Sequence, residues 1–307
     1  MRVAIAGAGS LAKYLSEELP KVGHEVVILT RSAKPFFDGK EGVISPQRIT
    51  DYSDPTALAE QLSDCDALIS TILDYTMDYT RAHLALIEAC KRSPKCKRFI
   101  PSEFGGNLED FPDQPMFYTP NHGPVRKCLR EQSEIEWTLV CVGWFSDYLL
   151  PGSNRYFSDV EAGGYPIDLT NHIAVLPGTG KELLAMTSAR DAARAIGYLL
   201  NAPRWNPYVY IQGEATTWRR VAELVKEGIP DLKVQFLSLT EMINIIAENK
   251  SESEVIGAGY NVFSASGAGS FDVAKVEADR DLFFKGMKFR SCRELLEDAE
   301  RNPDSVI

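Results

Sequence analysis

The chain has 307 residues, of which 44% are hydrophobic and 25% are charged, and its formal net charge is −10. This length and composition indicate a globular protein of one large or two moderate domains, whose core needs neither a metal nor a disulfide for stability. An acidic chain without a run of lysine or arginine is not expected to bind nucleic acid, and no apolar stretch approaches the roughly 20 residues of a membrane-spanning helix.

The cysteines and the first residues bear on where the protein works. None of the six cysteines belongs to a CxxC pair or to a Cys/His cluster with zinc spacing, which predicts free thiols and no metal site. The apolar run after Met1 is broken by glycines within a few residues, so it does not have the form of a signal peptide. We therefore expect a cytoplasmic protein.

Strand and helix patterns alternate along the first half of the chain. Short apolar runs predict strands at 3–6, 26–29, 67–69, 98–100 and 137–142. Apolar residues at helical spacing predict helices at 11–22, 56–64, 78–92 and 120–133. This alternation predicts an α/β fold of the Rossmann type, with a doubly wound parallel sheet and helices on both faces.

The regular alternation of strand and helix patterns ends after about residue 142. Residues 146–184 are rich in Gly, Pro, Tyr and Asn and show no long periodic element. Helices are predicted at 189–200, 218–228 and 239–248, and a strand at 208–211. The segment 257–270 (GAGYNVFSASGAGS) is low in complexity, and we expect it to form a loop or a cover.

A glycine motif follows the first predicted strand. It reads Gly7-x-Gly9-x-x-Ala12, with Ser10 and Leu11 opening the next helix. Gly7 permits a sharp turn, Gly9 has no Cβ to obstruct a pyrophosphate, and Ala12 lets helix and sheet approach closely. Free N–H groups at the helix N-terminus favour a diphosphate there. The motif therefore predicts a dinucleotide site, although a plain tight turn remains the alternative.

The end of the second strand indicates which dinucleotide is bound. It reads LTRS at 29–32, followed by Lys34, and lacks the acidic residue that usually holds the ribose hydroxyls of NAD. Arg31 can make a two-pronged contact with a 2′-phosphate, and Ser32 and Lys34 lie close in sequence. We therefore predict NADPH/NADP⁺ as the cofactor, against the alternative of a solvent-facing arginine.

The segment KRFIPSEFG at 97–105 resembles the signature of the isoflavone reductase-like and NmrA-like families, which are atypical short-chain dehydrogenases/reductases. The segments 29–32, 70–72, 137–151 and 283–296 fit the same order, so the resemblance covers nearly the whole chain. Its motifs are specific for the family and say little about the substrate.

The resemblance implies two domains and a type of chemistry. Residues 1–145 with 185–213 would form an NADP-binding Rossmann domain, and 146–184 with 214–307 a smaller, partly C-terminal substrate-binding domain. Enzymes of the group reduce aromatic secondary metabolites by hydride transfer. This predicts a small-molecule substrate and no membrane partner, and it leaves a homodimer open.

The resemblance also assigns residues near the nicotinamide and the substrate. Carried over, the residues that flank the nicotinamide are Thr71 and Ile72, and then Ser102, Glu103 and Phe104. The alternative is that PSEFG is a structural turn in which Pro101 ends the strand, and both can hold at once.

Further along the chain, Trp144 and Phe145 would form an apolar wall for an aromatic ligand, with packing between the domains as the alternative. His172 lies in an irregular segment within reach of a substrate.

The sequence departs from the family at the catalytic position. Isoflavone reductase-like enzymes carry a lysine four residues before an arginine, and counting back from Arg126 gives His122 instead. Tyr118 precedes His122 by four residues, a spacing that can bring both side chains to one site. A neutral imidazole can accept or relay a proton, so we hypothesise that His122, with Tyr118, is the general acid/base. A histidine in a protein that has lost turnover is the alternative.

Three functions fit these features. The first is an NADPH-dependent reductase of a small aromatic or alkaloid-like secondary metabolite. The second is an NmrA-like redox sensor, which binds the dinucleotide without turnover and is favoured by the missing lysine. The third is a cofactor-bound enzyme that catalyses a cyclisation or isomerisation, for which a histidine acid/base would be suited.

Overall fold

A six-stranded parallel sheet lies at the centre of the computed structural model, which describes residues 1–158 and 164–307. Its strands in chain order are β1 (Arg2–Ala6), β2 (Glu25–Thr30), β3 (Val43–Ile49), β4 (Ala67–Ser70), β5 (Arg98–Ile100) and β6 (Glu136–Trp137). Their order in the sheet is β3-β2-β1-β4-β5-β6. The order reverses between β1 and β4, and ligands of such sheets bind in the crevice at that point. The predicted Rossmann-type fold is confirmed.

Helices cover both faces of this sheet. They are α1 (Ser10–Lys21), α2 (Pro55–Gln61), α3 (Met77–Arg92), α4 (Thr119–Arg130) and α5 (Ala189–Leu200). Side chains alternate along β1, so Val3 and Ile5 pack in one buried cluster with α1 and α5, whereas Ala4 and Ala6 pack in another with α2 and α3. Apolar burial on both faces therefore holds the sheet in place.

The remaining elements form smaller sheets and a second group of helices. The strands are β7 (Leu139–Cys141), β8 (Trp144–Phe145), β9 (Ile167–Asp168), β10 (Ile173–Pro177), β11 (Leu183–Thr187), β12 (Tyr208–Tyr210), β13 (Glu214–Thr217) and β14 (Lys233–Leu237). The helices are α6 (Trp218–Gly228), α7 (Leu239–Glu248), α8 (Glu252–Ala265), α9 (Val273–Phe283) and α10 (Cys292–Arg301). The strands pair in the orders β14-β10-β9, β13-β11-β8 and β12-β7.

Two strand predictions need correction. The single strand predicted at 137–142 is divided, because β6 ends at Trp137 in the central sheet while β7 pairs with β12. The strand β3 was not predicted at all. It lies at the edge of the sheet, contains Pro46, and has a mainly half-exposed surface, so it lacks the apolar run of a central strand.

The prediction of a loop at 257–270 is wrong for most of that segment, because residues 257–265 lie within α8. The alternative expectation, a cover, stays a prediction. A Cβ at Gly259 would come within 2.6 Å of a ring carbon of Phe117, so the absence of a side chain allows the helix to pack closely there. Gly259 therefore reflects close packing, and not a flexible backbone.

No helix in the described part of the chain combines the length and the apolarity needed to cross a membrane. Within the same residues, no three His, Cys, Asp or Glu side chains lie together in a way that could hold a metal ion. The cysteines are free thiols, as predicted, and all except Cys128 are buried.

Candidate active site

The glycine loop lies at the point where the strand order of the central sheet reverses. Gly7 follows β1 directly and has a φ of +103°, a backbone conformation that other residues rarely adopt. A Cβ at this position would come within 2.8 Å of Thr71 Oγ1, at the end of β4. Gly7 therefore allows the ends of β1 and β4 to approach each other, which shapes the crevice between them.

The N-terminus of α1 is open at this crevice. A Cβ at Gly9 would meet no atom within 4 Å, and the Gly9 cap position provides no side-chain hydrogen bond to the helix. Ala12 is fully buried between helix and sheet, and Leu11 is nearly so. The hydroxyl of Ser10 donates to the carbonyl of Tyr156 over 2.9 Å. The open backbone at Gly9 and the uncapped helix fit a pyrophosphate.

The Tyr52 side chain holds the glycine loop in place through hydrogen bonds. Its hydroxyl donates to the Leu29 carbonyl over 2.7 Å and accepts from the Gly7 N–H over 3.0 Å. Burial raises the pKa of the Tyr52 phenol to about 12, so it stays protonated and remains a donor at neutral pH. The loop after β1 and the end of β2 are thereby held together.

The residues predicted to select NADP(H) lie at the end of β2. Arg31, Ser32 and Lys34 are exposed there. The Thr30 hydroxyl donates to the Ser32 carbonyl over 2.9 Å, and the Gln47 amide makes hydrogen bonds of 3.0 and 2.8 Å with the N–H and carbonyl of Lys34. The backbone of this turn is therefore held in place. The Arg31 side chain is exposed to solvent, where a 2′-phosphate could reach it.

The other predicted nicotinamide neighbours follow β4 and β5. Thr71 donates its backbone N–H to the Ala6 carbonyl over 2.8 Å, and Ile72 is almost completely buried. Ser102 follows β5, and Phe104 packs partly against the buried cluster that includes α1 and α5. These positions border the same edge of the sheet as Gly7, as the topology requires.

Glu103 has a buried carboxylate that is held by two basic side chains. Arg126 makes a two-pronged contact with it, with Nε to Oε1 at 2.8 Å and Nη2 to Oε2 at 2.6 Å. His122 Nδ1 lies 3.0 Å from Oε2, although the ring is not aligned for a hydrogen bond. Burial alone would raise the pKa of Glu103, but the charge of Arg126, aided by His122, lowers it to about 2. Glu103 is therefore ionised, and its carboxylate is turned into the protein.

His122 lies between two tyrosine rings. The Tyr79 ring stacks on it with centroids 3.6 Å apart and planes 14° apart, and the Tyr118 ring lies 4.2 Å away on a 40° tilt. His83 continues the stack beyond Tyr79 at 3.8 Å. Both ring nitrogens of His122 are buried and have no hydrogen-bond partner among the described residues. Buried polar groups usually have a hydrogen-bond partner, so the two unpaired nitrogens make His122 a candidate for contact with a ligand.

Hydroxyl groups connect this stack to the C-terminal part of the chain. The hydroxyl of Tyr118 lies 2.9 Å from that of Tyr260 on α8. The hydroxyl of Tyr75 lies 3.5 Å from Tyr260, and the rings of Tyr75 and Tyr118 are stacked 5.9 Å apart. Tyr118 and His122 are thus brought together as predicted, within a larger group of tyrosines.

Trp144 belongs to an aromatic cluster that adjoins these tyrosines. Its ring centroid lies 5.5 Å from Tyr260, 5.4 Å from Trp218 and 5.6 Å from Tyr165. The indole nitrogens of Trp144 and Trp218 and the hydroxyl of Tyr165 are buried without a hydrogen-bond partner in the described chain. An apolar wall that contains unpaired donors can both stack on a ligand and hydrogen-bond to it.

Phe145 and His172 lie apart from this cluster. Phe145 follows Trp144 in β8 and faces the other way, where its ring lies 5.1 Å from Phe157. His172 is partly exposed between β9 and β10, and its Nδ1 lies 2.9 Å from Asp231. The structure therefore brings Trp144, but neither Phe145 nor His172, to the tyrosines around His122.

Several side chains of this site were not predicted from the sequence. Tyr79 and His83 are four residues apart on α3, a spacing that places them on one helix face and could have indicated their pairing. Tyr52 and Tyr260 reach the site through the tertiary fold, and no local pattern marks them.

Comparison with known proteins identifies the family. A family model described as NAD(P)H-binding matches residues 6–163. The chain belongs to this NAD(P)H-binding family. It is 44% identical to the "Oxidoreductase swnR" of Arthroderma benhamiae over 100% of both chains. It is also 24% identical to the "Isoflavone reductase homolog A622-like" of Nicotiana tabacum, over 88% of this chain and 87% of the relative.

Solved structures of NADPH-binding reductases share the fold. The NADPH complex of leucoanthocyanidin reductase from Vitis vinifera superposes with a TM-score of 0.73 and 19% identity, over 96% of this chain and 97% of the other. The predicted resemblance to isoflavone reductase-like proteins and the predicted NAD(P)H cofactor are confirmed by the family match and these relatives.

Proposed function

We propose that this member of the NAD(P)H-binding family is an NADPH-dependent reductase of a small aromatic or alkaloid-like metabolite. The proposal rests above all on the continuous path of rings from His122 through Tyr118 and Tyr260 to Trp144. This path joins a buried acid/base group to an aromatic wall. It begins beside the ends of β4 and β5, where the family's cofactor would present its nicotinamide.

The glycine loop and the end of β2 are suited to hold the cofactor. In this proposal the loop from Gly7 to Ala12 and the α1 N-terminus hold the pyrophosphate, since the backbone at Gly9 is open. Arg31, with Ser32 and Lys34, takes the 2′-phosphate. Thr71, Ile72, Ser102 and Phe104 border the nicotinamide, and NADPH supplies the hydride when bound.

We also propose that the chain divides into a cofactor-binding part and a substrate-binding part. Residues 1–145 and 185–213 would bind the cofactor, and residues 146–184 and 214–307 would cover the substrate. Trp218 on α6 and Tyr260 on α8, which contact Trp144, support this division.

In this proposal, His122 and its neighbours supply the proton. A substrate that accepts a hydride on a C=O or C=N bond also needs a proton on the heteroatom. His122 is buried among the rings with both nitrogens unpaired, and the Tyr118 hydroxyl points toward the same aromatic wall through Tyr260. Burial raises the pKa of Tyr118, so its hydroxyl remains a donor at neutral pH.

The test is turnover by the His122→Ala variant. Small aromatic and alkaloid-like compounds with a reducible C=O, C=N or C=C bond are screened by loss of NADPH absorbance, and the variant is assayed on any substrate found. We expect kcat to fall by about 100-fold or more, with NADPH affinity unchanged, because a general acid/base contributes factors of this size. His24→Gln, which alters a histidine bonded to Gly197 on the far side of the sheet, is the matched control.

Unchanged turnover in His122→Ala would refute the acid/base assignment. Substrate conversion without NADPH consumption would favour a cyclisation or isomerisation, which a histidine acid/base also suits. NADPH binding with no conversion of any compound would favour the redox sensor.

A further inference from the structure

We infer that Glu103 and Arg126 are positioning residues for His122, which together fix its tautomer. This inference rests on the proposed acid/base role of His122. It assigns the Glu103 carboxylate to His122, and not to direct contact with the nicotinamide.

Arg126 immobilises the carboxylate. Its fork engages both oxygens of Glu103, and its third nitrogen, Nη1, donates to the Pro112 carbonyl over 2.6 Å. The side chains of Arg126 and Glu103 are 4% and 2% exposed, so water does not compete for these contacts. A bidentate, charge-assisted pair of this kind fixes the orientation of both groups.

The immobilised carboxylate faces one ring nitrogen of His122. Oε2 lies 3.0 Å from Nδ1, close enough to accept a hydrogen bond from an Nδ1–H once the ring is aligned. Hydrogen bonds of this kind are often poorly aligned before the substrate binds. A proton held on Nδ1 leaves Nε2 unprotonated in the neutral ring, so Nε2 becomes the atom that exchanges a proton with the substrate.

The flanking rings limit how His122 can move. Tyr79 stacks on one face at 3.6 Å and Tyr118 covers the other at 4.2 Å, so tilting out of the plane is blocked. Tyr79 is itself fixed, because it is fully buried and its hydroxyl donates to the Ser102 carbonyl over 3.0 Å.

The tyrosines and His83 add no charge to this environment. Burial raises the pKa of Tyr79 and of Tyr118 and lowers the pKa of His83 to about 4. All three are therefore neutral near pH 7. The charged groups beside the ring are therefore the Glu103 carboxylate, 3.0 Å from Nδ1, and the Arg126 guanidinium that is bound to this carboxylate.

The preferred tautomer of His122 gives a direct test. In protein carrying ¹³C- and ¹⁵N-labelled histidine, the His122 signal is assigned by its loss in His122→Gln, and its ¹⁵N shifts are measured by NMR with and without NADP⁺. We expect Glu103→Gln and Arg126→Gln each to weaken the preference for a proton on Nδ1, because the first removes the carboxylate and the second removes the group that holds it in place. The signals of His24 and His172 serve as internal controls.

A second measurement does not depend on the variants folding. In the wild-type protein the ¹⁵N shifts should show the neutral tautomer with its proton on Nδ1. A proton found on Nε2 in the wild-type protein, or a tautomer preference that is unchanged in both variants, would overturn the inference. These results are separable from the proposed function, because His122→Ala could still abolish turnover while Glu103 and Arg126 prove to be only structural.

Discussion

At the residue scale, Gly7 and Gly9 act through backbone geometry: Gly7 takes a positive φ, and the space beside Gly9 is open. A local sequence motif records such residues directly. The contacts of His122 with Tyr79 and Glu103 come from other elements, and they arise only when the fold brings those elements together. The residues of a motif could therefore be predicted, whereas the partners that set their chemistry could not.

Arg31 provides the prediction that belongs at this scale. Arg31→Ala should weaken NADPH and NADP⁺ binding by about 10- to 100-fold, since a charge-assisted hydrogen bond contributes about 1.5–3 kcal/mol. NADH and NAD⁺, which lack the 2′-phosphate, should bind with nearly unchanged affinity. Parallel calorimetric titrations with the four nucleotides measure this, and Lys34→Ala is the nearby comparison. Equal binding of all four by both proteins would contradict the role of Arg31.

At the scale of elements, helices with strong apolar periodicity are the ones that the sequence predicts correctly. The helices predicted at 189–200, 218–228 and 239–248 coincide with α5, α6 and α7, because their apolar residues recur at helical spacing. The helix α8 was missed because its glycines resemble those of a loop. One of them, Gly259, instead allows close contact with Phe117. Such a contact leaves no periodic signal in the sequence.

Gly259→Ala tests whether α8 needs this contact. The added Cβ would lie within 2.6 Å of the Phe117 ring, so we expect the free energy of unfolding to fall by about 1–3 kcal/mol in urea titrations. Gly228→Ala is the matched control, because no atom lies within 4 Å of its Cβ position in α6. That control should be neutral or stabilising by up to about 1 kcal/mol. Equal effects of the two substitutions would argue against close packing at Gly259.

At the scale of the whole molecule, a buried carboxylate joins the segment after β8 to the Rossmann part. Asp147 is fully buried, and one oxygen accepts from the Ala189 N–H at the start of α5 over 2.7 Å. Its other oxygen has no hydrogen-bond partner in the described chain. Burial raises the pKa of Asp147 to about 6, well above its ordinary value of 3.8. The folded protein therefore favours the protonated acid.

This carboxylate should make global stability depend on pH. Because the folded-state pKa is the higher one, the contribution of Asp147 is most favourable below about pH 3.8 and is lost as the pH rises to about 6. Asp147→Asn carries no charge, so it should be more stable than wild type at pH 8, by on the order of 2 kcal/mol, with a smaller difference at pH 5. Urea unfolding at both pH values measures this, and exposed Asp231→Asn is the control. A difference independent of pH would contradict the expectation.

The hydroxyl contact between Tyr118 and Tyr260 joins positions that are 142 residues apart in sequence. The match to the NAD(P)H-binding family model ends at residue 163, so Tyr118 lies within it while Tyr260 and Trp218 lie beyond it. The residues that we propose for the cofactor and the proton are thus encoded separately from much of the proposed aromatic cover. If these proposals hold, substitutions in α6 and α8 would change which molecule is admitted, while the glycine loop and His122 stay the same.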